Sequence, residues 1–131
     1  MIDHLEELKK IESILCSETM QSLSTIDQWI EYGAQLSGYM AYTNSQMAEF
    51  KKVWSDKKAK AYEQFVFNVE ARRLEWVPAS VVKDYITAKC SESEYAYNVA
   101  ERLSRTITHQ LDFVRTSVSA LKNEFNRVNS N

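Results

Sequence analysis

The chain has 131 residues, 44% of them apolar and 26% charged, and a formal net charge of −2. That length suits one domain able to bury about two-thirds of its surface. The near-neutral charge excludes a global electrostatic pull toward nucleic acid or anionic membrane, though a local patch stays open. Two glycines and one proline leave little material for tight turns, which argues against a hairpin-rich sheet fold and for helices.

The N-terminal residues begin acidic and lack the apolar core of a signal peptide. Ile2, Leu5, Leu8, Ile11 and Leu15 recur at steps of three and four, predicting an amphipathic helix over about residues 2–20. Glu6 and Lys10 stand in the favourable i,i+4 order. The hydroxyl-rich run SETMQSLST that follows can end one helix and start another.

A long helical region is predicted over about residues 24–76, as one helix or two. Its apolar series is Ile26, Ile30, Gly33, Leu36, Met40, Met47, Phe50 and Trp54. Gly33 and Ser37 thin the helix surface and would admit a neighbouring backbone, with Gly38 beside them. Tyr42, Thr43, Asn44 and Ser45 are weak helix formers, so a break there is conceivable. Lys51, Lys52, Lys57, Lys58 and Lys60 make the strongest basic cluster, diluted only by Asp56. Phosphate contact is one use of it, with Trp54, Tyr62 or Phe67 as stacking groups and Arg72, Arg73 and Lys83 as extensions. Solubility of a long helix is the other. The run Phe65, Val66, Phe67, Val69 is β-prone, but helix formers flank it and a helix is expected.

Pro78 marks the clearest break and holds Val77 extended. A short helix is expected over about residues 80–90, with Ser80 as its cap. Ser91 and Glu94 form an S-x-x-E capping box, and Cys90 and Tyr95 occupy the hydrophobic-staple positions. From there a helix is expected over about residues 92–128, some 35 residues and near ~50 Å. With Leu111 as heptad position a, the seam is Leu111, Val114, Val118, Leu121, Phe125 and Val128. Backwards it softens through Ile107, Ser104, Ala100 and Tyr97, while Leu103 and Phe113 widen it. The fold class is therefore all-α: a long-helix antiparallel bundle or coiled-coil-like assembly, with a short helix after Pro78. Helices this long are expected to self-associate, so a homo-oligomer is the favoured state, with a further protein partner open.

In this register His109 and Arg102 fall at f, away from the seam, with Arg105 and Asp112 at b. Glu101–Arg105 and Asp112–Arg115 are local charge pairs. An HxxD pair offers two ligands where a metal needs three or four, and a bare helix face offers no pocket for proton transfer. Cys16 and Cys90 make no CxxC set. No catalytic residue, metal or cofactor is implied, and an enzyme is not the expectation. No apolar run approaches the ~20 residues of a bilayer span, so no membrane role is expected and cytoplasm is the default. A partner or nucleic-acid face would draw on Lys51, Lys52, Lys57, Lys58, Lys60, Arg102, Arg105 and His109, with DNA or single-stranded DNA as the nucleic-acid candidates.

Glu101-Arg102, His109-Gln110-Leu111-Asp112, Arg115-Thr116 and Leu121-Lys122-x-Glu124 carry a family likeness, with Arg72-Arg73, Ser80 and Lys83-Asp84 upstream. Residues 70–125 resemble small all-helical proteins encoded by tailed bacteriophages and prophages. The N-terminal third has no counterpart in that resemblance. Such proteins often sit in replication and recombination gene clusters. The resemblance implies a phage origin, the host cytoplasm, and an accessory role in DNA metabolism. It carries over no catalytic residue.

Overall fold

The computed structural model describes the backbone of residues 2–16, 18–72 and 77–129; side chains at 2–3, 18–19 and 68–72 lie outside what it describes. The described chain is all-α. Helix α1 spans Ile2–Leu15, α2 Ile26–Arg72, α3 Ala79–Lys89 and α4 Ser91–Asn129, with a 3-10 turn at Glu18–Ser22. The chain divides into two compact units: Met1–Gln46 with Val99–Asn131, and Met47–Asn98. Long α2 and α4 contribute to both.

The first helix ends at Leu15, earlier than the expected residue 20, and the hydroxyl-rich stretch becomes the 3-10 turn. Leu8, Ile11 and Leu15 are buried along one face. Lys10 pairs with Glu7 at 3.9 Å rather than with Glu6, and both are exposed, so the pair contributes little.

Helix α2 opens on a capping box that the sequence contains in plain form, T-x-x-Q. The Gln28 amide donates to Thr25 Oγ1 at 3.2 Å, and the Thr25 amide donates back to Gln28 Oε1 at 3.2 Å. The Ser24 amide also donates to Gln28 Oε1, at 2.9 Å. Backbone donors left over at a helix start are thereby satisfied. The helix then runs unbroken through Tyr42–Ser45, where an interruption was conceivable. Packing overrides propensity there: Thr43 is fully buried.

The buried residues of α2 are Trp29, Tyr32, Leu36, Thr43, Gln46, Phe50 and Ala61, a three-four series. It shares Leu36 and Phe50 with the expected one and departs from it at the start of the helix. Ile30 is exposed, whereas Trp29 and Tyr32 turn inward. On α4 the buried residues are Ser93, Ala96, Val99, Ala100, Leu103, Ile107 and Val114. Leu103, expected at the margin of the seam, is fully inside it.

In the first unit α2 and α4 are antiparallel. Trp29 meets Phe113 with ring centroids 5.6 Å apart, and Ser104 Oγ donates to Asn44 Oδ1 at 3.1 Å. Helix α1 completes a three-helix bundle. Arg102 on α4 reaches Glu12 at 3.2 Å, and His4 Nδ1 lies 3.0 Å from the Tyr42 hydroxyl.

In the second unit Trp54 packs on Tyr97, centroids 5.5 Å apart, and Phe65 packs on Tyr85 at 5.4 Å. The β-prone run around Phe65 is helical. Helix α3 starts behind Pro78, whose carbonyl accepts from the amides of Val81 and Val82, so Ser80 is inside the helix and not its cap. Between α3 and α4 only Cys90 leaves helical geometry, at φ −110° and ψ 11°. The Glu94 amide goes to the Cys90 carbonyl at 3.0 Å, and no Ser91 side-chain cap forms among the described residues. The expected staple is split as well, Cys90 buried and Tyr95 exposed. A near-continuous α3–α4 connection supplies the amide partner that the box would have supplied.

Gly33 lies where α2 meets α4. A Cβ built there would stand 3.1 Å from Val114 Cγ1, whereas one at Gly38 would meet nothing within 4 Å. Gly38→Ala should therefore add about 1 kcal/mol from helix propensity alone, a rise of roughly 4 °C in Tm. Gly33→Ala should give no comparable rise, because displacing Val114 offsets the gain. Thermal melts of the two variants check this; equal rises would mean the α2–α4 contact is looser than described.

Candidate functional site

Three surfaces stand out, two of them holding residues that composition and spacing single out. The first is centred on Gln110, a residue the heptad register left outside the seam. Tyr32 donates its hydroxyl proton to Gln110 Oε1 at 2.6 Å, and Gln110 Nε2 donates to the Leu15 carbonyl at 3.2 Å. One side chain thus ties α1, α2 and α4. The Leu15 carbonyl belongs to the last turn of α1, where carbonyls have no helical partner, so Gln110 acts as a cap supplied by another helix. Burial, then the nearby Tyr39, raises the Tyr32 pKa above 10.0. Burial, then Glu7, does the same for Tyr42.

A tyrosine that holds its proton longer in the folded state supports stability fully below pH about 10, and that support is lost as pH rises through the folded value. Tyr32→Phe should cost about 1 kcal/mol at neutral pH, from the lost bond to Gln110, and should flatten the stability loss above pH about 10. Tyr42 should leave a residual slope. Urea titrations at neutral and alkaline pH measure both. An unchanged alkaline slope in the variant would remove Tyr32 from the account.

The second surface is the face around His109. It is less free than the heptad reading predicts. Arg102 donates to both Glu12 oxygens, at 3.2 and 3.3 Å, so α1 packs alongside it. Arg105 pairs with Glu101, and Arg115 with Asp112 at 3.2 Å, the local pairs the spacing predicts. His109 is exposed and makes no hydrogen bond among the described residues. Each arginine here carries its own counter-charge, which weakens the face as an anion site. Among the described residues no group of three or more His, Cys, Asp or Glu converges as metal ligands. Cys16 is exposed and Cys90 buried, both free thiols.

The third surface is the lysine run of α2 in the second unit. All five lysines are exposed. At about 100° per residue Lys51 and Lys58 share one side of the helix, while Lys52, Lys57 and Lys60 fan out around it. Lys58 Nζ sits 3.9 Å from the Trp54 ring centroid. Trp54 is thus engaged by Lys58 and by Tyr97, which leaves it poorly placed to stack on a base. Tyr62 and Phe67 are exposed. Lys83 lies on α3, while the side chains of Arg72, Arg73 and Trp76 are outside the described residues.

The predicted seam of α4 divides along its length. Val114 is buried against Gly33, and Leu111, Val118 and Leu121 are half-buried. Phe125 and Val128 are 62% and 66% exposed. No described helix is long and apolar enough to cross a membrane. No protein-family model, curated protein or solved structure matches this chain.

Proposed function

We propose that this chain is a non-enzymatic helical assembly protein that self-associates along the C-terminal part of α4. The observation that supports this is the outward continuation of the seam. Val118, Leu121, Phe125 and Val128 keep the three-four spacing of a helix-packing stripe, yet the last two are mostly exposed. Helix α2 begins only at Ile26 and meets α4 near Phe113, so the last turns of α4 extend past the α2 contact. A second copy brings the same stripe. Covering what remains exposed of each side chain is worth on the order of 1–2 kcal/mol. Summed over two chains, and less the cost of association, this favours weak, concentration-dependent assembly.

Light scattering and sedimentation should show a mass that rises with concentration through the micromolar range. Phe125→Asp combined with Val128→Asp should hold the chain monomeric with its helix content and Tm unchanged, because neither residue is inside a single chain. His109→Ala should leave the mass as in the wild type. A wild-type chain that stays monomeric throughout overturns the proposal.

A second reading, a DNA- or single-strand-binding accessory, is favoured by the exposure of Lys51, Lys52, Lys57, Lys58 and Lys60. Their spread around α2 weakens it. One strand along one side of the helix would meet two of them, Lys51 with Lys58 or Lys57 with Lys60, so the dependence of log K on log salt should be shallow, a slope of about −1.4 for two contacts against about −3.5 for five. A salt titration with single-stranded DNA measures it, and a slope near the larger value would favour this reading over the first.

A further inference from the structure

The second unit carries a groove whose apolar walls neither reading uses. It runs between α2 and α3, about 670 Å³ in volume, lined by Tyr62, Phe65 and Val66 on one wall and Val82 and Ile86 on the other. Tyr62 is 55% exposed and Val66 37%. Helix α3 buries none of its residues. The contrast with the first unit is physical. There α1 lies against α2 and α4 and buries Leu8, Ile11 and Leu15; here two helices present apolar walls, and among the described residues no third helix fills the space between them.

Among the described residues, the charged ones that line the groove are Lys58 and Lys83, and none of the lining is acidic. Lys51 lies two turns before Lys58 on the same side of α2, extending the positive end. We propose that this groove is a docking site for an acidic amphipathic helix of another protein. Apolar side chains at i, i+4 and i+7 fill it, and Asp or Glu on the flanks meets Lys58 and Lys83. The chain's own helices do not suit the site. The apolar face of α1 is already buried. The exposed end of α4 carries Lys122 and Arg127 against Glu124, so it brings like charge to the lysines. This surface is therefore separate from the proposed self-association, and either can fail without the other. The aliphatic residues Val66, Val82 and Ile86 suit side-chain anchors better than stacked bases.

The test uses the full chain and fluorescein-labelled synthetic helical peptides read by anisotropy. One peptide has Leu anchors and Glu flanks, a second Leu anchors and Lys flanks, a third Ala anchors and Glu flanks. A labelled oligo-dT is the fourth probe. The Leu–Glu peptide should bind about tenfold or more tighter than the other two peptides and the oligonucleotide. Lys58→Glu with Lys83→Glu, both at exposed positions, should lose about tenfold for that peptide and turn the preference to the Lys-flanked one, with helix content unchanged by circular dichroism. Phe125→Asp with Val128→Asp should bind it like the wild type. Equal binding of Glu- and Lys-flanked peptides overturns the proposal, as does equal binding of the Ala-anchored peptide. Tighter binding of oligo-dT overturns it in favour of nucleic acid.

Discussion

In the first unit three helices meet at one amide. Gln110 Oε1 accepts a hydrogen bond from the Tyr32 hydroxyl on α2, and Gln110 Nε2 donates one to the Leu15 carbonyl at the end of α1. A half-buried amide is stabilising only when its groups are paired, and each pairing here fixes a different helix against α4. The register of α2 follows from it, because placing the Tyr32 hydroxyl on Gln110 turns Trp29 inward and leaves Ile30 outside. One turn further along α4, Val114 meets Gly33, where the missing side chain lets the helices close up. Directional bonds set the rotation of these helices, and apolar burial at Leu8, Leu36, Leu103 and Ile107 supplies the bulk of the cohesion.

The second unit is held by different means. Aromatic pairs, Trp54 on Tyr97 and Phe65 on Tyr85, join its helices, and Cys90 with Ser93 and Ala96 fills the turn between α3 and α4. Small residues at three-four spacing on α4 suit close approach of a neighbouring helix. Two Lys side chains lie over aromatic rings, Lys58 on Trp54 and Lys89 on Tyr85. Lys58 thereby serves both the packing of this unit and the rim of the α2–α3 groove, and the proposed functions draw on two exposed surfaces, the end of the α4 seam and the walls of that groove.

How far the chain can be read in advance varies with the kind of signal. The all-α class follows from periodicity and the scarcity of glycine and proline, because those features act locally. The break at Pro78 and the pairs Glu101–Arg105 and Asp112–Arg115 are local too, and they stand where the spacing puts them. The Thr25–Gln28 capping box is equally local, T-x-x-Q ahead of an apolar series, and it forms where the Ser91–Glu94 match does not. That second match fails because α3 runs almost directly into α4, which no four-residue pattern can register.

By itself the sequence determined that this chain folds as helices, where the long ones begin and end within a few residues, and that α4 carries a three-four apolar stripe. Which side of each helix turns inward was decided by tertiary structure. In the expected register Ala100, Ile107 and Val114 are all d positions and all are buried, but beside them Leu103 at g lies fully inside while Ser104 at a is only half-buried. A lone helix has no means of choosing between them. The choice falls to Gln110 and Tyr32, two polar residues far apart in sequence whose value to the core appears only when they meet. The same holds for Arg102, whose side chain is drawn to Glu12 across 90 residues of chain. Helix periodicity is written in neighbours; helix rotation is written in partners.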